Sequence, residues 1–182
     1  MENRELGKDF FERPVLDVAK EMLGTSLCLK KADGKIIRMT VNETEAYDGE
    51  ADRACHASKG KTPRNEVMYG AAGVIYMYLC YGMHWLLNIV CREEGYPAAV
   101  LLRGTTKVTG PGRLTKKLGL DGGFNRKTAT FENGLWFEKS EYGRFEIKTG
   151  PRIGVNFAGK CWAEKPSLKT VMSINIKDAL LK

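Results

Sequence analysis

The chain has 182 residues, with 29 Lys+Arg against 22 Asp+Glu, a net charge of +7 and a pI near 9.1; this length suits one domain around one core. At 43% apolar and 28% charged residues it is too rich in core formers to be disordered. Residues 1–100 hold 13 basic and 15 acidic side chains and residues 101–182 hold 16 and 7, so the positive charge lies in the second half and points to a polyanion partner.

The first nine residues are charged and lack an apolar h-region, which argues against secretion and leaves a cytoplasmic location as the expectation. A helix is predicted over 15–23, where Val15, Val18, Ala19, Met22 and Leu23 keep helical spacing between Pro14 and Gly24. A hairpin follows: 26–30, a turn at Ala32-Asp33-Gly34, then a strand over 36–47. In that strand Ile37, Met39 and Val41 share a parity with Glu43, Glu45 and Tyr47. If the strand stays regular, its apolar face runs into two carboxylates, which is costly unless they are paired or used. The alternative is a strand that leaves the core by Glu43 and ends in a solvated acidic stretch.

Residues 48–70 read as a long irregular loop, the kind that tends to be functional or mobile. Residues 69–91 carry no charge and are long enough to cross a bilayer. Gly70, Gly73, Gly82, His84 and Asn88, with many Tyr and β-branched residues, instead predict two buried strands, 74–81 and 83–91, joined by a tight turn at Tyr81-Gly82. A strand over 98–102 ends at Arg103. A short basic helix over 111–118 is closed by Gly119, and the remainder is hairpin-like with a turn at Asn133-Gly134. The five cysteines (28, 55, 80, 91 and 161) form no CxxC pair, and His56 and His84 stand 28 residues apart, so reduced thiols are expected and a zinc site is not.

Two constellations carry chemistry. Tyr76 and Tyr78 share a strand face, and Tyr81 at the hairpin tip suits an exposed wedge or binding contact, whereas core packing explains the other two more simply. Glu43-Thr44-Glu45-Ala46-Tyr47, Cys55-His56-Ala57 and Thr62-Pro63-Arg64-Asn65 supply a possible base and two flat surfaces for a planar ligand.

Together with Tyr76-Met77-Tyr78, Tyr81-Gly82-Met83-His84, Asn88 and Leu101-Leu102-Arg103, these residues fall in the order and spacing of the alkyladenine (methylpurine) DNA glycosylases. The chain resembles that family from Phe11-Glu12-Arg13 to Ile153-Gly154-Val155. The resemblance implies one α+β domain over 1–182, built on a curved mixed or antiparallel sheet with a protruding β-hairpin and flanking helices. It implies a monomeric enzyme of base-excision repair that acts on double-stranded DNA containing alkylated or deaminated purines, with no metal or cofactor. By the same resemblance Glu45 is the general base that activates a water, with Arg103 and the main chain at Val155 holding it. Tyr47 and the His56–Tyr78 pair sandwich the flipped base, Asn88 crowds the amino group of guanine, and Tyr81 fills the vacated place in the stack. Glu43 reads as structural and Tyr76 as packing behind the pocket. Phosphate contacts are expected from Arg64, Lys107, Arg113, Lys116, Lys117 and Arg152. Asn156 and His84 depart from the animal members and bear on substrate breadth. With no lysine in place of the base, the resemblance implies a monofunctional enzyme without lyase activity. A helix-hairpin-helix glycosylase, suggested by Thr109-Gly110-Pro111-Gly112, lacks the Leu before the Pro and the second Gly of that motif. A non-catalytic nucleic-acid-binding module would suit the basic half and the aromatic platforms, but has no need of an inward Glu45.

Overall fold

The computed structural model describes residues 4–139, 146–152 and 171–174. They form an α+β domain on a curved sheet in which all strand pairings among the described residues are antiparallel. After a one-turn helix α1 (Lys8–Phe11) comes α2 (Val15–Glu21), which starts beside Pro14 and buries Val15, Val18 and Ala19. Gly24, at φ +83°, follows it in a conformation that favours glycine. Strands β1 (Ser26–Lys30) and β2 (Ile36–Asp48) form the expected hairpin.

The uncharged stretch folds as β3 (Ile75–Cys80) and β4 (His84–Val90), paired directly with Tyr76 opposite Asn88. Among the described residues no helix is long and apolar enough to cross a membrane. Strand β5 (Ala98–Thr105) runs past Arg103, two residues beyond its expected end, and pairs with β2, β4 and the two-residue β6 (Val108–Thr109). Helix α3 (Pro111–Leu118) buries Leu114 and Leu118 and ends at Gly119, φ +71°. Thr115 ties it to β4 by donating to Trp85 O at 2.6 Å, and Lys31 Nζ donates to Leu118 O at its C-terminus.

Beyond α3 the hairpin expectation is corrected. Residues 120–134 run mainly as turns, and the Asn133-Gly134 turn leads into β7 (Leu135–Glu138), which pairs with the distant β1 and not with a strand immediately before the turn. Strands β8 (Lys148–Gly150) and β9 (Val171–Ser173) pair with each other, and β9 also pairs with β2. The order β3-β4-β5-β2-β1-β7 therefore sets β2 and β5 in the middle of the sheet. Its main core, against α2 and α3, includes Phe11, Met22, Leu27, Val41, Leu87, Val100, Leu102 and Leu114.

Candidate active site

The site is built where β2 and β5 change phase. Val41 stands opposite Thr105, Glu43 opposite Gly104, and Thr44 opposite Leu102. Each strand thus spends one extra residue between these pairs, and the side chains on both exchange faces. Met39 and Val41 face the main core before the irregularity. After it Ala46 does so, while Thr44 Oγ1 donates to Ala19 O of α2 at 2.9 Å. On β5, Val100 and Leu102 join the core, whereas Leu101 and Arg103 line a cavity on the other side. Glu45 and Tyr47 share that second side. The regular alternation read from the sequence is therefore corrected: Glu45 is inward, but on the face opposite the Met39–Val41 stripe. Gly104 permits the close approach, since a Cβ there would lie 3.0 Å from Asn42 Oδ1 and 3.4 Å from Glu43 Oε2.

Glu45 has 0% exposed surface and is paired on both oxygens. Arg103 Nη1 donates to Oε2 at 2.8 Å, and the Tyr47 hydroxyl donates to Oε1. Arg103 Nε donates to Glu43 Oε1 at 3.0 Å, so one guanidinium is held between two carboxylates. Burial, followed by the charge of Glu45, pushes the Tyr47 phenol well above its usual range. Arg103 and Tyr47 line the cavity in front of Glu45.

A second apolar cluster of Cys55, Ala57, Val67, Met68, Tyr76, Val90 and Ala99 underlies this face, with Tyr47 and Tyr78 packed against it. The 48–70 loop covers it. Buried Asn65 knots that loop: it accepts from Thr62 N and donates to His56 O at 2.9 Å and Gly60 O at 3.0 Å. His56 begins a 3-10 turn, with its ring edge-on to Tyr78 at 4.4 Å between centroids and Nδ1 3.0 Å from the Tyr76 hydroxyl. It is exposed at the cavity yet crowded by protein on its other sides; burial, then the charge of Arg64, lowers its pKa to about 4.

The cavity measures about 590 Å³, within the range of small-molecule sites. Tyr47, His56, Tyr76, Tyr78, Asn88 and Arg103 line it, and Tyr81 stands at its edge. Asn88 is buried, and its Nδ2 donates to Tyr76 O at 3.1 Å and Leu86 O at 3.4 Å. At the hairpin tip Tyr81 (φ +50°) and Gly82 (φ +68°) take the positive φ values that suit tight turns between twisted strands, closed by Met83 N donating to Cys80 O. Tyr81 is 85% exposed, a large aromatic held in a conformation that disfavours it.

The structure thus brings together Glu45, Arg103, Tyr47, His56, Tyr78 and Asn88, with Tyr81 at the edge. Val155 and Asn156 lie outside the described residues. Arg64 is exposed at the cavity, with its guanidinium 5.7 Å from the Tyr78 ring centre and Nη2 donating to Leu79 O. Lys107, Arg113, Lys116 and Lys117 are exposed. His84 packs against Gly112, where a Cβ would lie 3.0 Å from its ring, and it does not line the cavity.

Arg152 is corrected from a phosphate contact to a buried structural group. Its side chain and that of Asp52 are each 0% exposed, joined by two hydrogen bonds of 2.6 and 2.8 Å. The Arg152 guanidinium also lies 5.4 Å from the Tyr47 ring centre. Sequence reasoning missed Asp52, which lies 100 positions away from its partner with no local signal. It also missed the grip of Glu43 on Arg103, for which the shared parity of Glu43 and Glu45 was a partial clue.

A carboxylate beside a guanidinium, behind a cavity walled by aromatic rings, has the groups to accept a proton from water and to stabilise developing positive charge nearby. A profile of the methylpurine-DNA glycosylase family matches residues 9–109. A protein of Myxococcus xanthus is 44% identical over 170 residues, 88% of this chain and 87% of its own. Others from Sodalis glossinidius (42%; 91% and 98% covered) and Methanocella arvoryzae (38%; 85% and 86% covered) are comparable, and all three are provisionally named 3-methyladenine DNA glycosylases. The profile takes in Glu45, His56, Tyr81 and Arg103, and the relatives extend the match over most of the chain, which therefore belongs to the methylpurine-DNA glycosylase family.

Proposed function

We propose that this protein releases alkylated or deaminated purines from duplex DNA by flipping the nucleotide and hydrolysing its N-glycosidic bond with a water activated by Glu45. The observation that carries this reading is the fully buried Glu45, paired with Arg103 and set behind a cavity whose walls are Tyr47, His56 and Tyr78. The target bond is inaccessible inside the stack, so the base must leave it, and an exposed tip residue such as Tyr81 can hold the gap open. The flipped purine stacks between Tyr47 and Tyr78, with His56, edge-on to Tyr78, in the same wall. Asn88 disfavours guanine through its exocyclic amino group, and the family resemblance assigns a water contact to Val155, outside the described residues.

Tyr47 does more than stack. Its hydroxyl occupies one oxygen of Glu45, and that oxygen becomes available to water when the base displaces the phenol. Arg103, oriented by Glu43, holds the water and keeps its hydrogen bond to the second oxygen. Glu45 then takes the water proton as the anomeric carbon is attacked and also stabilises the oxocarbenium-like charge. Alkylation at N3 or N7 makes the base cationic and a better leaving group, and the neutral His56 adds no opposing charge.

The enzyme acts as a monomeric domain spanning 1–182 and needs no metal. No lysine takes the place of the base, which is Glu45, and this favours hydrolysis without lyase chemistry. Arg64, Lys107, Arg113, Lys116 and Lys117 take the phosphates. Purified protein incubated with duplexes carrying a single hypoxanthine or 7-methylguanine should release the free base and leave an intact abasic strand. Failure to release either base overturns the reading, and strand cleavage as fast as base release overturns its monofunctional part.

A further inference from the structure

Tyr76 is 1% exposed, and three of its parts each support a different wall of the cavity. Its hydroxyl is 3.0 Å from His56 Nδ1, its ring leans on Tyr78 at 5.5 Å and 35°, and its carbonyl accepts from Asn88 Nδ2 at 3.1 Å. Simple packing behind the pocket does not require that convergence.

We propose that Tyr76 is a positioning residue for base recognition: its hydroxyl donates to Nδ1 of His56 and thereby fixes this ring as a neutral Nε2–H donor in the wall of the cavity. The inference rests on the glycosylase reading for its consequence, but not for its geometry. His56 Nδ1 is the hydrogen-bonding partner of the Tyr76 hydroxyl among the described residues. Were the phenol to accept instead, its own proton would be left on a side chain that is 1% exposed and packed in an apolar cluster, with no other hydrogen-bond partner among the described residues, and a buried donor without an acceptor is costly. Donation to the imidazole lone pair satisfies both groups. Burial raises the Tyr76 phenol to about 12 and lowers His56 to about 4, so near neutral pH one has a proton to give and the other a lone pair to receive it. Asn65 holds the His56 main chain from the other end. The ring nitrogen left for other partners then carries a proton, so His56 meets the base as an uncharged donor and not as an acceptor.

Tyr76→Phe deletes the hydroxyl and keeps the ring and carbonyl. Long-range proton–nitrogen spectra of the whole protein should show one Nε2–H tautomer for His56 in the wild type and a mixture in the variant. On a hypoxanthine duplex, KM should rise about tenfold, the size of one net hydrogen bond, with kcat changing far less. Affinity for undamaged duplex should stay constant. In a His56→Gln background the same substitution should add nothing further, whereas a general packing role would cost as much in both backgrounds. An Nδ1–H tautomer in the wild type overturns the proposal even if the variant fails to fold. So does a variant whose tautomer and KM match the wild type. If the wild type releases no base at all, the glycosylase reading falls, and the tautomer in the free protein alone decides for or against Tyr76.

Discussion

Replacing Arg152 with Met removes a guanidinium that has no exposed surface and makes two short hydrogen bonds to an equally buried Asp52. Breaking a buried pair by deleting one partner typically costs about 3–5 kcal/mol, because the surviving charge is left in a poor solvent. Here Asp52 keeps two backbone donors, Ala54 N at 3.0 Å and Asp48 N at 3.2 Å, and Met fills much of the aliphatic volume. The lower end, about 3 kcal/mol, is therefore expected, equivalent to a fall of about 6–12 °C in melting temperature for a domain of this size. Adding Asp52→Asn should cost clearly less than the sum of the two single changes, since both touch one interaction. Urea unfolding of the four proteins measures this cycle, and binding to undamaged duplex against salt runs alongside it. A loss of less than about 1 kcal/mol, together with a salt slope shallower by about one unit, would refute the reasoning and return Arg152 to the phosphate backbone.

Three further outcomes follow from the same geometry. Tyr81→Gly should leave stability unchanged or raise it by up to about 1 kcal/mol by relieving the φ of +50°, while affinity for a lesion duplex drops; undiminished lesion affinity removes the wedge role. Gly104→Ala should cost about 1–3 kcal/mol and lower base release, because its methyl meets Asn42 and Glu43 and disturbs the grip on Arg103; a neutral result in both assays counts against the phase change as the basis of the site. His56 resists protonation until about pH 4 against about 6.5 when unfolded. Between these values the unfolded chain holds the extra proton, so stability contributed by His56 falls as pH drops through that window. His56→Gln should flatten the urea midpoint against pH there, and an unchanged slope argues against a neutral His56.

Local signals in the sequence were strong where short-range chemistry decides structure. Pro14 and Gly24 bracket α2, Gly119 closes α3, and the Tyr81-Gly82 turn is visible because two uncharged runs flank it. The aromatic residues and Glu45 were legible as a site through their order and spacing. What stayed hidden depends on pairing between distant strands. The exchange of faces between Val41 and Thr44 needs a matching extra residue on β5, and nothing within β2 announces it; regular alternation found Glu45 while assigning it to the wrong face. The Asp52–Arg152 pair and the junction of Tyr76 with His56 are likewise products of the closed fold, so a basic residue near the chain's end read as a phosphate ligand and a pocket tyrosine as filler.

The central claim is that Glu45 activates the water that releases the base. Single-turnover release of hypoxanthine from a defined duplex, comparing wild type with Glu45→Gln, tests it most directly. The substitution keeps the shape and the possibility of hydrogen bonds to Arg103 and Tyr47 but removes the base, so the rate should fall by about 10²–10⁴-fold while affinity for the lesion duplex is retained. Release at a near wild-type rate by the Gln protein would contradict the account.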